Sequence, residues 1–215
     1  MRRNYILIIF LLVFLAGCKS NRITLPSLQG MIYDGNNEAV SDVEIFIEDK
    51  HNATSDIYGH FTLTGLDTSK TYNLRASKKG FEDVNLTFPY SVPSQVIYLR
   101  MYSHTELLVC AENMVKDKKY VEAENYLKRA ELAGGSYLSI NYLRACIKYL
   151  ISDFDSSLKI INDIINEGYV DSYIYLLLAD IYETGFSDAE KTKEFLQKSL
   201  ELSYDPVVEK RLNSK

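Results

Sequence analysis

Three patterns of hydrophobic and polar positions follow one another along the chain. An apolar run at residues 6–16 comes first, shortly after Arg2 and Arg3. Over residues 28–102 apolar and polar positions alternate, and short groups of Gly, Asn and Asp interrupt the alternation. After Ser103 the apolar residues recur every three or four positions. Alternation is typical of β-strands and the longer period of amphipathic helices, so the sequence predicts a two-domain chain, β then α.

The first apolar run has the parts of a secretory signal. Two arginines precede eleven apolar residues, and Ala16 and Gly17 stand directly before Cys18. Eleven residues are fewer than the roughly 20 that a membrane-spanning helix requires, which favours cleavage. An uncleaved signal anchor or a buried apolar helix is the alternative. The longest later apolar stretch, residues 173–179, is shorter still, so we expect no other membrane segment.

The residues Leu15-Ala16-Gly17-Cys18 resemble the lipobox of bacterial lipoproteins. The resemblance implies removal of the signal peptide, residues 1–17, and a diacylglyceryl group on the Cys18 sulfur. Two or three acyl chains anchor a protein stably, whereas one chain holds it marginally. We therefore expect an extracytoplasmic protein of the cell envelope, anchored by lipid at Cys18 and tethered through residues 18–27. Lys19 stands where aspartate marks inner-membrane retention in some bacteria, which favours the outer membrane.

Seven short strands are predicted within residues 28–102. They span residues 28–33, 43–48, 53–55, 61–64, 71–76, 84–88 and 95–101, with Gly, Asn and Asp in the intervening turns. Asp56, Gly59 and Phe61 form an Asp-x-x-Gly-x-Phe turn, which is followed by Gly65-Leu66 and by a Tyr-x-Leu motif at residues 72–74. In this order the motifs resemble the carboxypeptidase regulatory-like domain. The resemblance implies a transthyretin-like, seven-stranded β-sandwich.

Residues 103–215 contain three copies of a two-helix pattern with a period of about 34 residues. In the first copy small and aromatic residues recur at Ala111, Tyr120, Ala123 and Ala130. This spacing resembles tetratricopeptide repeats, and it implies a stack of helix pairs that ends in a capping helix from Pro206. The copies depart from the family in three respects: Ser157 and Thr192 replace the usual alanine, and the third copy is one residue longer.

Charge and motifs exclude several functions. Removal of residues 1–17 takes away two arginines and no acid, so the net charge falls from −5 to about −7. A negative chain is a poor match for nucleic acid. No metal-ligand spacing surrounds His51, His60 or His104, and the sequence has no nucleophile elbow, phosphate loop or dinucleotide fingerprint. We therefore predict a non-enzymatic protein with no metal ion and no cofactor.

The remaining cysteines, Cys110 and Cys146, fall within the helical pattern. An extracytoplasmic compartment permits a disulfide between them. A small apolar residue also suits close helix packing, and this reading favours two buried thiols.

Tyrosine is the one unusual component, with 17 residues and no tryptophan in the chain. The tetratricopeptide resemblance implies that the first helix of each pair lines a concave groove. Aligning the copies places a candidate set of groove residues there: Glu112, Tyr142, Tyr149, Tyr173, Asp180 and Glu183. Acids beside tyrosines favour a protein or peptide partner that carries Lys or Arg. The alternative is that these acids form a solvated face and the tyrosines form core.

We accordingly predict a membrane-anchored scaffold that recruits a partner through its repeats. The sandwich would serve as a spacer or as a docking surface. Glycan binding by the sandwich is the rival function, although the absence of tryptophan counts against it. Because the two periodicities imply separate cores, we expect protease to cut near Ser103 and to release two folded fragments.

Overall fold

The structure, a computed structural model, describes residues 27–214. The predicted signal peptide, the lipidation residue Cys18 and the tether up to residue 26 lie outside the described residues. Seven strands form the first domain. They are β1 (Leu28–Tyr33), β2 (Glu44–Ile47), β3 (Lys50–Thr54), β4 (His60–Leu63), β5 (Lys70–Ser77), β6 (Val84–Tyr90) and β7 (Val96–Arg100).

The strands form two sheets that face each other across one core. The three-stranded sheet has the order β4-β1-β7, and the four-stranded sheet has the order β3-β2-β5-β6. Alternate residues of each strand point inward, as in β7, where Ile97 and Leu99 are buried between exposed neighbours. Phe61 covers Gly30 so closely that a Cβ atom there would overlap the Phe61 ring. The predicted seven-stranded sandwich is confirmed.

Six of the seven strands begin within one residue of the predicted position, and one begins three residues earlier. The alternation predicts a third strand over residues 53–55, whereas β3 spans Lys50–Thr54. The reason is a two-residue turn at Glu48 and Asp49, whose φ angles are 48° and 61°. Two consecutive positive φ angles are typical of a type I′ hairpin, which reverses the chain at once. Neither residue is the Asn or Gly that normally signals such a turn.

The parallel pairing of β1 with β7 determines at which end the chain enters the sandwich and at which end it leaves. These strands are parallel, with Gln29 opposite Val96 and Tyr33 opposite Arg100. The chain therefore enters the sandwich at one end and leaves for the helical domain at the other. At about 3.3 Å per residue, the length of β1 separates the two ends by roughly 20 Å.

Seven α-helices form the second domain. They are α1 (His104–Lys116), α2 (Tyr120–Leu132), α3 (Tyr137–Leu150), α4 (Phe154–Asn166), α5 (Ser172–Ile181), α6 (Ala189–Leu202) and α7 (Pro206–Asn213). Helices α1 and α2, α3 and α4, and α5 and α6 pack as pairs, and α7 packs on α6. The prediction of a helical-repeat stack after the sandwich is confirmed. No helix within residues 27–214 has the length and apolar character needed to span a membrane.

Two departures from the repeat pattern have a local explanation. The Ser157 hydroxyl is fully buried and donates to the Ala145 carbonyl oxygen at 2.8 Å. The Thr192 hydroxyl likewise donates to the Asp188 carbonyl oxygen at 2.7 Å. A buried hydroxyl with a hydrogen-bond partner avoids most of the desolvation penalty, so both residues can occupy positions that otherwise favour alanine.

The additional residue of the third copy lies in a π-helical turn. This turn, Tyr182–Phe186, directly follows α5. A π-helical turn holds one more residue than an α-helical turn, so it absorbs the insertion without breaking the helix pair. Gly185 packs against the Phe154 ring, where a side chain would overlap the ring. The same turn directs Glu183 toward Arg211 of α7.

The junction between the domains is held by several polar contacts. Ser103 pairs with Phe81 in a β-bridge, and its side chain forms a capping box with Glu106 at the start of α1. Glu106 also accepts a hydrogen bond of 3.0 Å from the Gly35 backbone N–H in the sandwich. Ser103 and the first turn of α1 are therefore both hydrogen-bonded to the sandwich. This bonding argues against the protease cleavage that the two periodicities lead us to expect.

The strongest junction contact joins Glu82 of the sandwich to Arg129 of α2. The Arg129 Nε and Nη2 atoms donate to the two Glu82 carboxylate oxygens at 2.8 and 2.7 Å. The Arg129 guanidinium also lies 5.4 Å from the Tyr102 ring centroid and 5.1 Å from that of Tyr126. Bidentate pairing fixes the geometry of both partners, so this contact orients the stack relative to the sandwich.

Candidate interaction groove

A groove lies on the faces of α1, α3 and α5 in the helical domain. Its volume is about 600 Å³. Helix α1 contributes positions three or four residues apart, because such residues share one helical face. The groove is lined by Thr105, Leu108, Val109, Glu112, Val115 and Lys116 of α1, Ser139, Tyr142 and Leu143 of α3, and Tyr173 of α5.

The groove is mainly apolar. Val109 is 54% exposed at its wall, although it is a large hydrophobic residue. The charged side chains in the wall are Glu112 and Lys116, one helical turn apart on α1 and both exposed. With one acid and one base, the groove carries no strong net charge. The groove therefore suits an apolar surface of a partner better than a positively charged one.

Two tyrosines form the floor between α3 and α5. The Tyr142 and Tyr173 rings meet edge to face, with their centroids 4.6 Å apart. The Tyr142 hydroxyl donates to the Tyr173 carbonyl oxygen at 3.4 Å. Burial raises the pKa of Tyr142 strongly, and contact with Cys146 adds to the shift. Tyr142 is therefore a neutral, fixed wall of the groove rather than a titrating group.

The structure brings together three of the six predicted groove residues, namely Glu112, Tyr142 and Tyr173. Tyr149 instead packs against Phe154, with ring centroids 5.8 Å apart, and its hydroxyl lies 3.2 Å from the Thr184 hydroxyl. It lies outside the groove wall.

The predicted acids Asp180 and Glu183 are both bound to Arg211. The Arg211 guanidinium lies 2.6 Å from an Asp180 carboxylate oxygen and forms two hydrogen bonds with Glu183. These contacts attach the capping helix to the third repeat. Asp180 and Glu183 therefore lie outside the groove wall, and Arg211 offsets one of their two charges.

The sequence analysis missed the apolar wall of the groove. Leu108, Val109 and Val115 have the helical spacing that core residues also have, so spacing alone does not mark a groove. The signal that separates them from core is structural. Val109 on the groove face of α1 is 54% exposed, and no helix precedes α1 within the described residues 27–214.

Cys110 and Cys146 are both free cysteines, and they are partly buried rather than buried as the sequence favours. Burial raises the pKa of Cys110, and it raises the pKa of Cys146 to about 11. A thiol with a raised pKa holds its proton at neutral pH and is a poor nucleophile. Neither cysteine therefore has the properties of a catalytic or redox-active residue.

The sandwich has a smaller polar cleft on the outer face of its four-stranded sheet. Its volume is about 250 Å³, and Glu48, Asn73, Arg75, Asn85 and Thr87 are among its lining residues. The Asn73 backbone N–H donates to the Glu48 carboxylate at 2.8 Å, and the Thr87 hydroxyl donates to the Asn73 side-chain oxygen at 2.8 Å. These bonds hold a row of polar side chains in place across β5, β6 and the turn after β2.

Comparison with known proteins identifies the first domain. The model of the carboxypeptidase regulatory-like domain matches residues 27–96, about a third of the chain. The chain thus carries a carboxypeptidase regulatory-like domain at its N-terminal region, followed by a helical region. No curated protein matches the chain.

Several solved structures are similar to parts of the chain. MamA residues 41 to the end, from Desulfovibrio magneticus RS-1, is 17% identical with a TM-score of 0.43, over 52% of this chain and 63% of that chain. The chain thus spans less than two thirds of that structure. A cohesin–X-dockerin complex from Acetivibrio cellulolyticus is 12% identical with a TM-score of 0.32, over 36% and 58% of the respective chains. The C-terminal domain of the Caf1A usher is 16% identical with a TM-score of 0.26, over 36% and 94%.

Proposed function

We propose that this chain is a non-enzymatic interaction protein whose helical groove binds an amphipathic helix of a partner protein. The observation that carries the proposal is the open apolar groove on α1, α3 and α5, with Val109 exposed at its wall. An amphipathic helix presents apolar residues at i, i+3, i+4 and i+7, and a cavity of about 600 Å³ holds several such side chains. Glu112 and Lys116 then set the register by pairing with opposite charges on the partner.

The proposal includes a lipid anchor at Cys18, on the strength of the lipobox resemblance. The strand order supports the spacer role of the sandwich. Because β1 and β7 are parallel, the chain enters the sandwich at the end opposite the helical stack. A tether at that end would hold the groove away from the membrane surface and leave it accessible to a partner.

Site-specific photocrosslinking in intact cells tests the groove. A benzophenone amino acid is introduced at Ser139, an exposed residue of the groove wall. We expect one discrete adduct, which Val109→Asp abolishes because it places a charge in the apolar wall. Val121→Asp is the matched control, since Val121 is 75% exposed on α2 and does not line the groove. Equal adducts in both variants would show that the partner binds elsewhere.

A separate experiment tests the anchor. We expect Cys18→Ser to block acyl incorporation and to release the protein from the membrane fraction, or to leave it unprocessed. Labelling with a radioactive fatty acid, followed by fractionation, measures both effects. Normal processing and full membrane association of Cys18→Ser would contradict the lipid anchor and would leave the groove proposal unaffected.

The polar cleft of the sandwich supports glycan binding as a second candidate function. Sugars are recognised by planar amide, carboxylate and guanidinium groups, and Asn73, Glu48 and Arg75 provide all three. Binding of the purified chain to a set of envelope polysaccharides tests this candidate. We expect Asn73→Ala and Asn85→Ala to remove any such binding and Val109→Asp to leave it unchanged. Binding that survives both cleft substitutions would exclude the cleft as the glycan site.

A further inference from the structure

A row of exposed apolar side chains follows the three turns that join one helix pair to the next. We call this row the tyrosine edge. Its members are 38% to 88% exposed, although all are large hydrophobic residues. They are Leu132 and Tyr137 at the α2–α3 turn, Tyr169 and Val170 at the α4–α5 turn, and Leu202, Tyr204 and Val207 at the α6–α7 turn.

Direct contacts place the three turns side by side. The Tyr137 and Tyr169 rings are stacked, with centroids 5.9 Å apart and an interplanar angle of 19°. The Ser199 hydroxyl near the end of α6 donates to the Ser172 carbonyl oxygen at the start of α5, at 3.0 Å. The end of α6 thus lies beside the start of α5, which brings the α6–α7 turn next to the α4–α5 turn. The seven side chains lie along this border of the stack, and none of them lines the groove.

The tyrosine edge is strongly acidic. Residues 131–137, 163–173 and 201–209 contain seven acids and no lysine or arginine. Glu131 is bound to Arg144 at 2.8 Å. The other six acids form no ion pair within residues 27–214, and they are Asp163, Glu167, Asp171, Glu201, Asp205 and Glu209. Their charges are therefore available to a partner, and they disfavour an anionic lipid surface.

The domain junction contains an arginine that contacts a carboxylate and two tyrosine rings at once. Exposed tyrosines beside free carboxylates favour the same kind of contact. At the domain junction Arg129 binds the Glu82 carboxylate while its guanidinium lies beside the rings of Tyr102 and Tyr126. A guanidinium is planar, so it can pair with a carboxylate and stack on an aromatic ring at once, whereas a lysine ammonium offers only a point charge. Tyr137, Tyr169 and Tyr204 with their neighbouring acids offer the same groups without an internal arginine.

We propose that the tyrosine edge is a docking surface for an arginine-rich segment of a partner protein. The segment would place guanidinium groups over the exposed tyrosine rings and beside the unpaired carboxylates, and its aliphatic stems would cover Leu132, Val170 and Val207. This surface is distinct from the groove. The sequence predicts that the groove binds a basic partner, and we assign that partner to the tyrosine edge instead.

Fluorescence anisotropy with the full chain purified in detergent tests the proposal. The probes are a labelled nine-residue arginine-rich peptide, a lysine peptide of the same charge and an acidic peptide. We expect binding of the arginine peptide that weakens as salt rises, at least several-fold weaker binding of the lysine peptide, and none of the acidic peptide. Equal affinity for the two basic peptides would overturn the proposal, because general charge attraction would then explain the binding.

Matched variants locate the surface. Asp163→Asn, Glu167→Gln and Glu201→Gln together should weaken arginine-peptide binding about tenfold or more. The control removes three exposed acids from the opposite border of the stack, through Glu122→Gln, Asp155→Asn and Glu190→Gln. Equal loss in both triple variants would overturn the proposal.

The tyrosines have their own test. Tyr137→Ala with Tyr204→Ala should abolish the preference for arginine over lysine, whereas Tyr137→Phe with Tyr204→Phe should keep it, since phenylalanine retains the ring face. Loss of the preference in the phenylalanine variant would contradict ring stacking.

Val109→Asp should leave peptide binding unchanged, which separates this proposal from the groove. Concentration-dependent self-association through the edge in analytical ultracentrifugation would show instead that a second copy covers it.

Discussion

The sandwich and the helical stack differ in how their buried side chains are connected. The buried apolar residues of the sandwich form one continuous cluster between the two sheets. Those of the stack are divided among three clusters that follow the repeats. A domain with a single core unfolds as one unit. In a repeat stack each repeat packs only against its neighbours, so parts of the stack can unfold separately. The first domain is thus suited to be a rigid spacer, and the second presents groove and edge surfaces between its units.

Cavity-forming substitutions should reveal this difference most strongly. We expect Leu63→Ala and Leu196→Ala each to cost about 2–5 kcal/mol, because both side chains are fully buried. In hydrogen exchange, Leu63→Ala should lower protection in all seven strands. Leu196→Ala should lower it in α5, α6 and α7 alone, since Leu196 belongs to the last cluster, which these three helices form. Loss of protection along the whole stack would show that the three clusters unfold together.

The sequence predicts the order and number of elements because both periodicities are strong. Alternation places Leu28, Ile45 and Ile97 in the core, and the helical period places Leu107, Leu127 and Leu196 there. The sequence does not predict the local irregularities of the two domains. The hairpin at Glu48 and Asp49 lacks the residues that signal such a turn, and its conformation is held instead by bonds from Glu48 to Asn73 of a neighbouring strand.

Three of the six predicted residues lie together in the wall of the groove, and long-range contacts explain the positions of two others. Glu112, Tyr142 and Tyr173 line the groove as the repeat alignment implies. The partner of Asp180 and Glu183, Arg211, lies about 30 positions further along the chain, beyond any periodic signal. The length anomaly of the third copy was visible in the sequence, but its outcome, a π-helical turn that brings Glu183 to Arg211, depends on the packed helices.

The junction offers the next test, because it joins the two kinds of core. Glu82→Gln removes the charge of the carboxylate that binds Arg129 at 2.8 and 2.7 Å. We expect a cost of about 1–2 kcal/mol and cleavage at residues 101–104 that is roughly tenfold faster, as the junction opens more often. Limited proteolysis with mass spectrometry measures this rate. Glu122→Gln is the control, and equal sensitivity of both variants would contradict a junction held by Glu82.

A smaller effect is expected at the C-terminal end of the stack. Arg211→Ala removes the ion pairs with Asp180 and Glu183, which are partly exposed, so the loss should be about 1 kcal/mol or less. Hydrogen exchange should show fraying of α7 with α1 to α4 unchanged. Lys210→Ala, at the neighbouring exposed position, is the control. If the control frays α7 to the same extent, helix propensity and not the ion pair determines the effect.

Two partly buried side chains of α3, Tyr142 and Cys146, also make the stack sensitive to alkali. Burial raises the pKa of Cys146 to about 11 and raises that of Tyr142 as well. In the unfolded chain these groups lose their protons at lower pH, so their contribution to stability is fully present below about pH 9. It is lost as pH rises through the folded-state pKa values. Thermal unfolding of the helical signal between pH 8 and pH 11 measures the loss.

The smallest effect should come from reducing agents. We expect Cys110 and Cys146 to remain thiols, so a reductant should leave the melting temperature of the stack unchanged. Because the pKa of Cys146 is about 11, its thiolate fraction and alkylation rate should rise about tenfold for each unit between pH 8 and pH 10. The chain in denaturant, where burial no longer acts, is the control and should react much faster at pH 8. A linked Cys110–Cys146 peptide pair after alkylation without reduction would contradict the prediction and would place a covalent bond between the first and second repeats.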